Sequence, residues 1–274
     1  MRTTRLRATT SALQYHLEAI GVGEPLLLLH GFSGACATWH AVANALADRW
    51  RVIMIDCLGH GQSDAPPKVE RYHMASLAAD IIDLLDQLAI KRTHLLGYSM
   101  GGRLALRVAL RYSERLRSLI LESASPGLAD ASESAERRRR DLALADRIEG
   151  KGMPAFVDYW ERLPLWASQS KLPADILVAQ KQQRLRNNAV GLANSLRGLG
   201  TGAQPNLWPE LPALQLPALL LAGAEDHKFR RINEAMAARM PRAQLRLIPA
   251  AGHNTHLENA PAFCHEVSSF LARV

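Results

Sequence analysis

The feature that most constrains this chain is one serine held between two glycines, at the point where an apolar run becomes a helical pattern. The segment Gly97-Tyr-Ser-Met-Gly101 fits G-x-S-x-G and follows the apolar pair Leu95-Leu96. This arrangement is typical of a nucleophile elbow, a sharp strand-to-helix turn that lifts a strained serine above the end of a sheet. The five-residue pattern also occurs by chance, but apolar residues at helical spacing over 105–109 favour the elbow.

Two backbone N–H groups are predicted to hold negative charge beside Ser99. The first belongs to Met100, which begins the following helix and therefore lies at the positive end of the helix dipole. The second belongs to Phe32, in the glycine-rich turn His30-Gly-Phe-Ser-Gly34 that ends an apolar run. That turn also fits an ordinary connection between a strand and a helix, so its functional assignment depends on the elbow.

An acid and a base for Ser99 are predicted from the order of polar residues late in the chain. Asp226 follows the apolar run 217–223, and His253 follows a later strand and a small turn. The order Ser, Asp, His is that of the α/β-hydrolase fold. His253 would take the serine proton, while Asp226 would fix the imidazole tautomer and stabilise the imidazolium. The alternatives that the sequence leaves open are His256 and His227 for the base, and Glu225 and Glu122 for the acid.

The order of apolar runs predicts the fold class. Runs near residues 27, 53 and 95 alternate with helix-like segments, which indicates a mostly parallel, doubly wound sheet covered on both faces. Residues 128–206 contain only helix-like segments rich in Arg, Ala and Leu, which predicts a helical cap inserted over the sheet. We therefore expect an α/β protein of the α/β-hydrolase fold, with a core domain formed by 1–127 and 207–274 and a cap formed by 128–206.

The net charge of the chain indicates the class of its ligand. With 33 Lys and Arg against 26 Asp and Glu the formal charge is +7, which permits nucleic acid or an acidic small molecule. Aromatic residues make up only 5% and no nucleic-acid-binding motif is present, so nucleic acid is disfavoured. Because many arginines fall near the predicted site segments, we expect an anionic small-molecule substrate. The oligomeric state does not follow from the sequence.

Location and cofactors are predicted from apolar runs and cysteines. The longest run of Leu, Ile and Val covers 26–29, too short to span a bilayer, and the basic start 1–7 has no apolar region behind it. Cys36, Cys57 and Cys264 lack metal-type spacing and cannot form a disulfide framework, which is typical of a reducing compartment. We therefore expect a cytoplasmic protein without membrane insertion. The sequence has no clustered set of Cys and His ligands and no phosphate-binding glycine loop before a helix other than the elbow, so we expect neither a metal site nor an organic cofactor.

Six motifs spread over nearly the whole chain resemble those of one enzyme family. They are His30–Gly34, Leu58–Ser63, Gly97–Arg103, Thr201–Trp208, Gly223–Phe229 and Gly252–His256. Through them the chain resembles the 2-succinyl-6-hydroxy-2,4-cyclohexadiene-1-carboxylate synthases of menaquinone biosynthesis, which are lyases with the α/β-hydrolase fold. The first two motifs and the last are shared with many hydrolases. The choice of family is decided by Tyr98 with Gly102-Arg103, the cap arginines, the Ala-Gln-Pro segment 203–205 and the Asp-x-Lys-Phe segment 226–229.

The resemblance implies that the serine and the histidine act as a base on a substrate from which pyruvate is then eliminated, without an acyl-enzyme. It also implies that arginines hold the substrate carboxylates, a role that suits the guanidinium fork. The matching substrate-binding residues are Tyr98, Arg103, Arg139 or the nearby Arg137, Arg184, Tyr159 and Trp160. Neighbouring arginines within 137–140 point in different directions on a helix, so most of them are expected to face solvent.

The aromatic pair in the cap also fits simple packing, and the chain departs from the family there. The family usually has a tyrosine where this chain has Trp160, so this chain lacks the hydroxyl that the resemblance would imply at that position.

Two other functions fit the same residues. A carboxylesterase or a hydrolase of carbon–carbon bonds would use Ser99 as a covalent nucleophile, because the fold and the triad do not fix the reaction. A ligand-binding module with an inactive site is disfavoured by the complete set of predicted triad residues. Assays with short-chain aryl esters and with the menaquinone precursor would separate the hydrolase from the lyase.

Overall fold

An eight-stranded sheet forms the centre of the protein, of which the computed structural model describes residues 3–10 and 12–274. Met1 and Arg2, which belong to the basic start and to the predicted core domain, lie outside the described residues, as does Ser11. The strands are β1 (Thr4–Thr10), β2 (Leu13–Ile20), β3 (Glu24–Leu29), β4 (Trp50–Ile55), β5 (Thr93–Tyr98), β6 (Leu116–Glu122), β7 (Ala218–Gly223) and β8 (Ala243–Ile248).

The strands lie in the order β1-β2-β4-β3-β5-β6-β7-β8. Strand β2 pairs antiparallel with β1 and β4, and the remaining pairs are parallel. The carboxyl ends of the parallel strands therefore meet at one edge of the sheet, where α/β proteins bind their ligands. The predicted fold class, a mostly parallel α/β-hydrolase sheet, is confirmed.

Helices cover both faces of this sheet. In chain order, the helices of the described residues are α1 (His40–Leu46), α2 (Met74–Gln87), α3 (Met100–Arg111), α4 (Ala131–Trp160), α5 (Ala174–Leu185), α6 (Ala189–Leu199), α7 (His227–Ala237), α8 (Thr255–Glu258) and α9 (Ala260–Leu271). Helices α2, α3 and α7 contribute to the core on one face, and α1 and α9 contribute to the core on the other. In β3, Leu27 and Leu29 face the first core while Leu26 and Leu28 face the second, which explains the unbroken apolar run.

Between β6 and β7 the regular elements of the described chain are all helical. Helices α4 and α6 pack around a core of their own that includes Ile148, Phe156 and Leu192, and Phe32 of the sheet domain packs against it. Helix α4 is kinked at Gly152, whose φ of 74° lies in the left-handed region that favours glycine. Among the described residues, no helix combines the length and the apolar character needed to cross a bilayer.

Candidate active site

Ser99 lies on a strained turn between β5 and α3. Its φ of 49° and ψ of −106° are unusual for a residue with a side chain. Glycines on either side make the turn possible, since a Cβ on Gly97 would lie 2.4 Å from the Gly101 carbonyl oxygen. The turn leaves Ser99 partly exposed at the carboxyl end of the sheet, as expected for a nucleophile elbow.

The structure brings together the three residues of the predicted triad. His253 Nε2 lies 3.0 Å from Ser99 Oγ, and His253 Nδ1 lies 2.9 Å from Asp226 Oδ2. Asp226 follows β7, and His253 follows β8 and the turn at Ala250–Gly252. Because neighbouring parallel strands end at the same edge, residues 127 and 154 positions from the serine along the chain become its neighbours.

The carboxylate of Asp226 is held in place before it meets the imidazole. It accepts a hydrogen bond from the Phe229 N–H in the first turn of α7, at 3.1 Å. Burial alone would raise the pKa of Asp226, but the hydrogen bond from His253 and its neighbouring charge lower the pKa below its usual value. An ionised Asp226 suits the role of orienting the imidazole and stabilising the imidazolium.

Of the four residues left open as alternatives, Glu225, Glu122 and His256 have other partners. Glu225 binds the Lys171 ammonium on the surface at 2.7 Å, and His227 is exposed. Glu122 binds His256 at 2.6 Å and not His253. The geometry therefore favours Asp226 and His253.

The two N–H groups predicted to hold an oxyanion lie on segments that meet at Ser99. Within the described residues, neither the Phe32 nor the Met100 N–H donates a hydrogen bond to the protein. Gly31 allows the turn before Phe32 to approach closely, since a Cβ there would lie 2.6 Å from the Tyr98 ring and 3.5 Å from Ser99 Cβ. Two free donors beside the serine suit an oxyanion hole, and this assignment stays a prediction.

A cavity of about 1180 Å³ opens above the triad, between the sheet, the cap and α7. Its walls include Ser99, His253, Phe32 and Trp160, so it reaches both the reactive groups and the cap. Six cationic side chains line it, and they are Arg103, Arg137, Arg140, Lys228, Arg231 and Arg239. Among the described residues, only the carboxylates of Glu133 and Glu136 line it as well. The excess of positive charge suits an anionic ligand.

Arg103 is the most deeply placed of these cations, at 9% exposure. Its Nη1 donates to the Leu199 carbonyl at 2.7 Å and to Gln204 Oε1 at 3.3 Å. Burial, and then the neighbouring charge of Arg137, lowers the pKa of Arg103 to about 10. Within the described chain no carboxylate lies in salt-bridge distance of it, and a buried charge without a partner is costly. A carboxylate of a ligand would supply that partner.

The four consecutive arginines of α4 point in different directions around the helix, so only some of them can face the cavity. Arg137 and Arg140 line the cavity, whereas Arg139 does not. Arg139 and Arg140 are both largely exposed, at 71% and 74% of their side chains, and both bind Glu136. The choice of Arg139 as a substrate ligand is therefore not supported by its position. Arg137, the alternative left open by the sequence, takes its place because it lines the cavity, and positions two apart on a helix lie on different faces. Its Nε also binds Asp141 at 2.8 Å.

Arg184 is buried, but it lies outside the walls of the main cavity. Its Nη1 binds Glu161 at 3.1 Å, and its guanidinium lies 5.2 Å from the centre of the Trp166 ring. A second cavity of about 470 Å³ lies on that side of Trp166. Arg184 stays a candidate ligand, but its charge is already matched by Glu161.

The three predicted aromatic ligands differ in position. Tyr98 lies under the cavity, and its buried hydroxyl has no hydrogen-bond partner among the described residues. Trp160 packs its ring 5.3 Å from that of Phe32 and lines the cavity, also with an unpaired buried N–H. Tyr159 points away, is 38% exposed and lies beneath the guanidinium of Arg147, so it is not a wall of the site.

Trp166 was not identified from the sequence. It lines the cavity 5.8 Å from the His253 ring, and its buried N–H has no partner within the described residues. It lies in the 3₁₀ turn Pro164–Lys171, which has no periodic pattern to indicate which side chain faces the site.

One buried group of side chains has the composition of a metal site. The ligand atoms of His16, Cys36 and Asp56 lie within 4.8 Å of one another. Both carboxylate oxygens of Asp56 already accept backbone N–H groups, from Cys36 at 2.6 Å and from Gln62 at 2.7 Å. Burial and the charge of Asp56 raise the pKa of the Cys36 thiol well above its ordinary value, and a protonated thiol is a poor ligand. We interpret the group as structural.

Comparisons with known proteins agree with this geometry. The α/β hydrolase fold family matches residues 24–260. A Bacillus subtilis protein that carries the provisional name 2-succinyl-6-hydroxy-2,4-cyclohexadiene-1-carboxylate synthase is 44% identical over 257 residues, covering 94% of this chain and 93% of that protein.

Solved structures of the same fold are also similar. The structure of MenH from S. aureus has a TM-score of 0.90 and 37% identity, covering 94% of this chain and 98% of that one. A thermophilic esterase from Thermogutta terrifontis has a TM-score of 0.86 and 30% identity, covering 98% of both chains.

Proposed function

Since this chain belongs to the 2-succinyl-6-hydroxy-2,4-cyclohexadiene-1-carboxylate synthases, a family with the α/β hydrolase fold, we propose that Ser99 and His253 abstract the proton that starts its reaction. The enzyme is a carbon–oxygen lyase of menaquinone biosynthesis. It converts 2-succinyl-5-enolpyruvyl-6-hydroxy-3-cyclohexene-1-carboxylate to the diene and pyruvate. The observation that carries the mechanism is the 3.0 Å contact between Ser99 Oγ and His253 Nε2 inside a cationic cavity.

The two chemical names fix which proton is lost. The precursor has one ring double bond, at position 3, and the product has two, at positions 2 and 4. The oxygen substituent at carbon 5 is lost, so the proton that leaves must come from carbon 2. That proton is acidic because carbon 2 is next to the ketone of the succinyl group. The electron pair of the broken carbon–hydrogen bond forms the 2,3 double bond, the 3,4 pair moves to 4,5, and the carbon–oxygen bond breaks to release enolpyruvate as its anion. The methylene carbon of enolpyruvate then takes up a proton to give pyruvate, so the overall reaction neither gains nor loses a proton.

The residues of the site have distinct roles in this scheme. His253 takes the proton of Ser99, whose oxygen takes the proton of carbon 2, and Asp226 stabilises the imidazolium. Charge develops on the ketone oxygen, where the N–H groups of Phe32 and Met100 are free to bind it. No acyl-enzyme forms, because the serine oxygen never attacks a carbonyl carbon.

The substrate carries three carboxylates, and the cationic walls of the cavity match that charge. We assign Arg103 to one carboxylate, with Arg137 and Arg140 of the cap as ligands for another. Guanidinium groups suit this role because they bind carboxylates with two parallel hydrogen bonds. The direct test is incubation with the precursor while pyruvate release is measured, and no release above the spontaneous rate would contradict the proposal.

A matched pair of cap substitutions tests the assignment within α4. Arg137→Ala should raise KM about tenfold or more, since it removes a cavity-lining cation, while Arg139→Ala should change KM less than about twofold. Both variants lose one positive charge from the same helix, so net charge is controlled. Initial-rate kinetics decide the matter, and equal effects of the two variants would contradict the assignment.

Salt should weaken the capture of the substrate. Because six cations line the cavity, raising NaCl from about 0.05 to 0.5 M should lower kcat/KM several-fold, as the screening length shrinks below the size of the site. The value of kcat should change little, since the bound state is less screened. Hydrolysis of a neutral aryl ester, if present, is the control and should not respond. A flat salt profile for the precursor would contradict electrostatic capture.

A hydrolase remains the second candidate function, supported by the similarity to the Thermogutta esterase. In that case Ser99 Oγ would attack an ester carbonyl and form an acyl-enzyme. Short-chain aryl esters test this directly. Ester turnover with no acceleration of pyruvate release would favour the hydrolase.

We further propose that the enzyme works in the cytoplasm. The support is the state of its cysteines, since Cys36, Cys57 and Cys264 are all unbonded thiols. Fractionation of cells that express the tagged chain tests the location.

A further inference from the structure

A second acid–histidine pair lies buried behind the triad. Glu122, the last residue of β6, is fully buried, and its Oε2 lies 2.6 Å from His256 Nδ1. Its Oε1 accepts hydrogen bonds from Thr255 Oγ1 at 2.7 Å and from the His256 N–H at 3.0 Å. One carboxylate thus makes three hydrogen bonds to the residues that follow His253 by two and three positions.

The main chain of Glu122 contacts Ser99, the proposed partner of His253 in the reaction. Its carbonyl oxygen accepts the Ser99 N–H at 2.8 Å, and its Cα pairs with that of Tyr98 in the sheet. Glu122 is therefore bonded to the nucleophile through its backbone and to the histidine turn through its side chain. The relative position of these two segments determines the distance from Ser99 Oγ to His253 Nε2.

The surroundings of His256 make this connection rigid. Its ring stacks 4.1 Å from that of Trp39 and meets the Tyr98 ring edge to face at 4.9 Å. A buried carboxylate is retained only where hydrogen bonds offset its lost hydration, and an apolar side chain would fill the same space at less cost. Filling space in the core therefore does not explain why a glutamate occupies this position.

We propose that Glu122 is a positioning residue for the reaction, which fixes the turn after His253 so that the imidazole stays in hydrogen-bond contact with Ser99. The inference rests on the proposed role of His253 as the base. Glu122 itself touches neither substrate nor reacting atoms. A shift of the imidazole by about 1 Å is enough to lower the rate by roughly a hundredfold.

Three graded substitutions test the proposal, namely Glu122→Ala, Glu122→Gln and Thr255→Val. Glu122→Ala should lower kcat about tenfold to a hundredfold with KM changed less than about threefold. Glu122→Gln keeps one acceptor oxygen and should recover part of the loss. Thr255→Val removes one of the three hydrogen bonds at nearly constant volume and should have the mildest effect.

Asp80→Ala is the matched control. Asp80 is also a buried carboxylate, bonded to Tyr15 Oη at 2.6 Å and to Arg71 at 3.0 Å, but it does not line the cavity. The Asp80→Ala variant should have a lower melting temperature than the unmodified enzyme, without a comparable loss of kcat. If Glu122→Ala lowered kcat no more than Asp80→Ala at a similar loss of melting temperature, the positioning role would be refuted.

A spectroscopic readout separates this inference from the proposed reaction. In the substrate-free protein, the ring ¹⁵N shifts of His253, assigned by their loss in His253→Gln, should report an Nδ1–H tautomer. Glu122→Gln and Thr255→Val should shift these signals toward a mixture of tautomers. Unchanged His253 shifts would overturn the inference even if pyruvate is released. Absence of pyruvate release by the unmodified enzyme would instead refute the proposed reaction.

Discussion

Replacing Ser99 or His253 with alanine is expected to lower kcat for pyruvate release by about a thousandfold or more. The two side chains are in contact at 3.0 Å and act in one proton transfer, so either loss removes the base. The double variant should lose little beyond the single ones, because groups that act as a unit are strongly non-additive. Steady-state assays of pyruvate release measure all three, after correction for the spontaneous reaction.

Two controls protect this experiment against misfolding. The Ser99→Ala variant should keep the melting temperature of the unmodified enzyme, because the substitution neither removes nor exposes a buried charge. Asp226→Asn keeps the shape of the acid but removes its charge, and it should lower kcat while leaving the site assembled. Near-normal pyruvate release by Ser99→Ala would mean that the elbow is not the base. Additive losses in the double variant would mean that the two residues act in separate steps.

The triad was predictable because local patterns mark the ends of strands. Gly97 and Gly101 indicate the turn at Ser99, and the polar residues Asp226 and His253 each follow a strand. Because parallel strands end at one edge, the predicted mostly parallel sheet already places these residues at the same edge. The choice of His253 over His256 and His227, and of Asp226 over Glu225 and Glu122, needed the distances in the structure.

Strand β1 was missed for a physical reason. Its sequence Thr-Arg-Leu-Arg-Ala-Thr-Thr carries few apolar residues because it is an edge strand, which pairs with β2 alone among the described strands. From Arg5 onward, exposed positions alternate with positions that are half-buried at Leu6 and buried at Ala8 and Thr10. An edge strand has no need of the continuous apolar run that identifies β3 or β7.

The cap residues proposed to bind substrate were less predictable than the residues of the proposed triad. Four arginines in succession, 137–140, are equivalent as sequence, and only the phase of α4 decides which of them face the cavity. The bond between Glu122 and His256 joins residues 134 positions apart and has no local signal. Such contacts depend on how loops fold back over the sheet.

Removing the guanidinium of Arg103 should discriminate between the two candidate reactions. Because this buried charge has no carboxylate partner among the described residues, we expect Arg103→Ala to cost about 2 to 5 kcal/mol in kcat/KM for the anionic precursor. A neutral aryl ester needs no such partner, so ester hydrolysis should fall less than about tenfold. Arg103→Lys keeps the charge but loses the two parallel hydrogen bonds of a guanidinium. Its kcat/KM for the precursor should therefore lie between the values of the unmodified enzyme and of Arg103→Ala.

The bonds from Arg103 to Leu199 and Gln204 also tie α3 to the cap, so a structural contribution has to be separated from binding. Gln204→Ala breaks part of this tie while the guanidinium remains, and it should leave kcat/KM for the precursor within about threefold. Thermal melting of both variants shows whether the cap is retained. Equal losses on precursor and ester would identify Arg103 as a structural tie. A loss confined to the precursor would mean that the buried charge is there to meet a carboxylate, which an esterase of neutral substrates does not require.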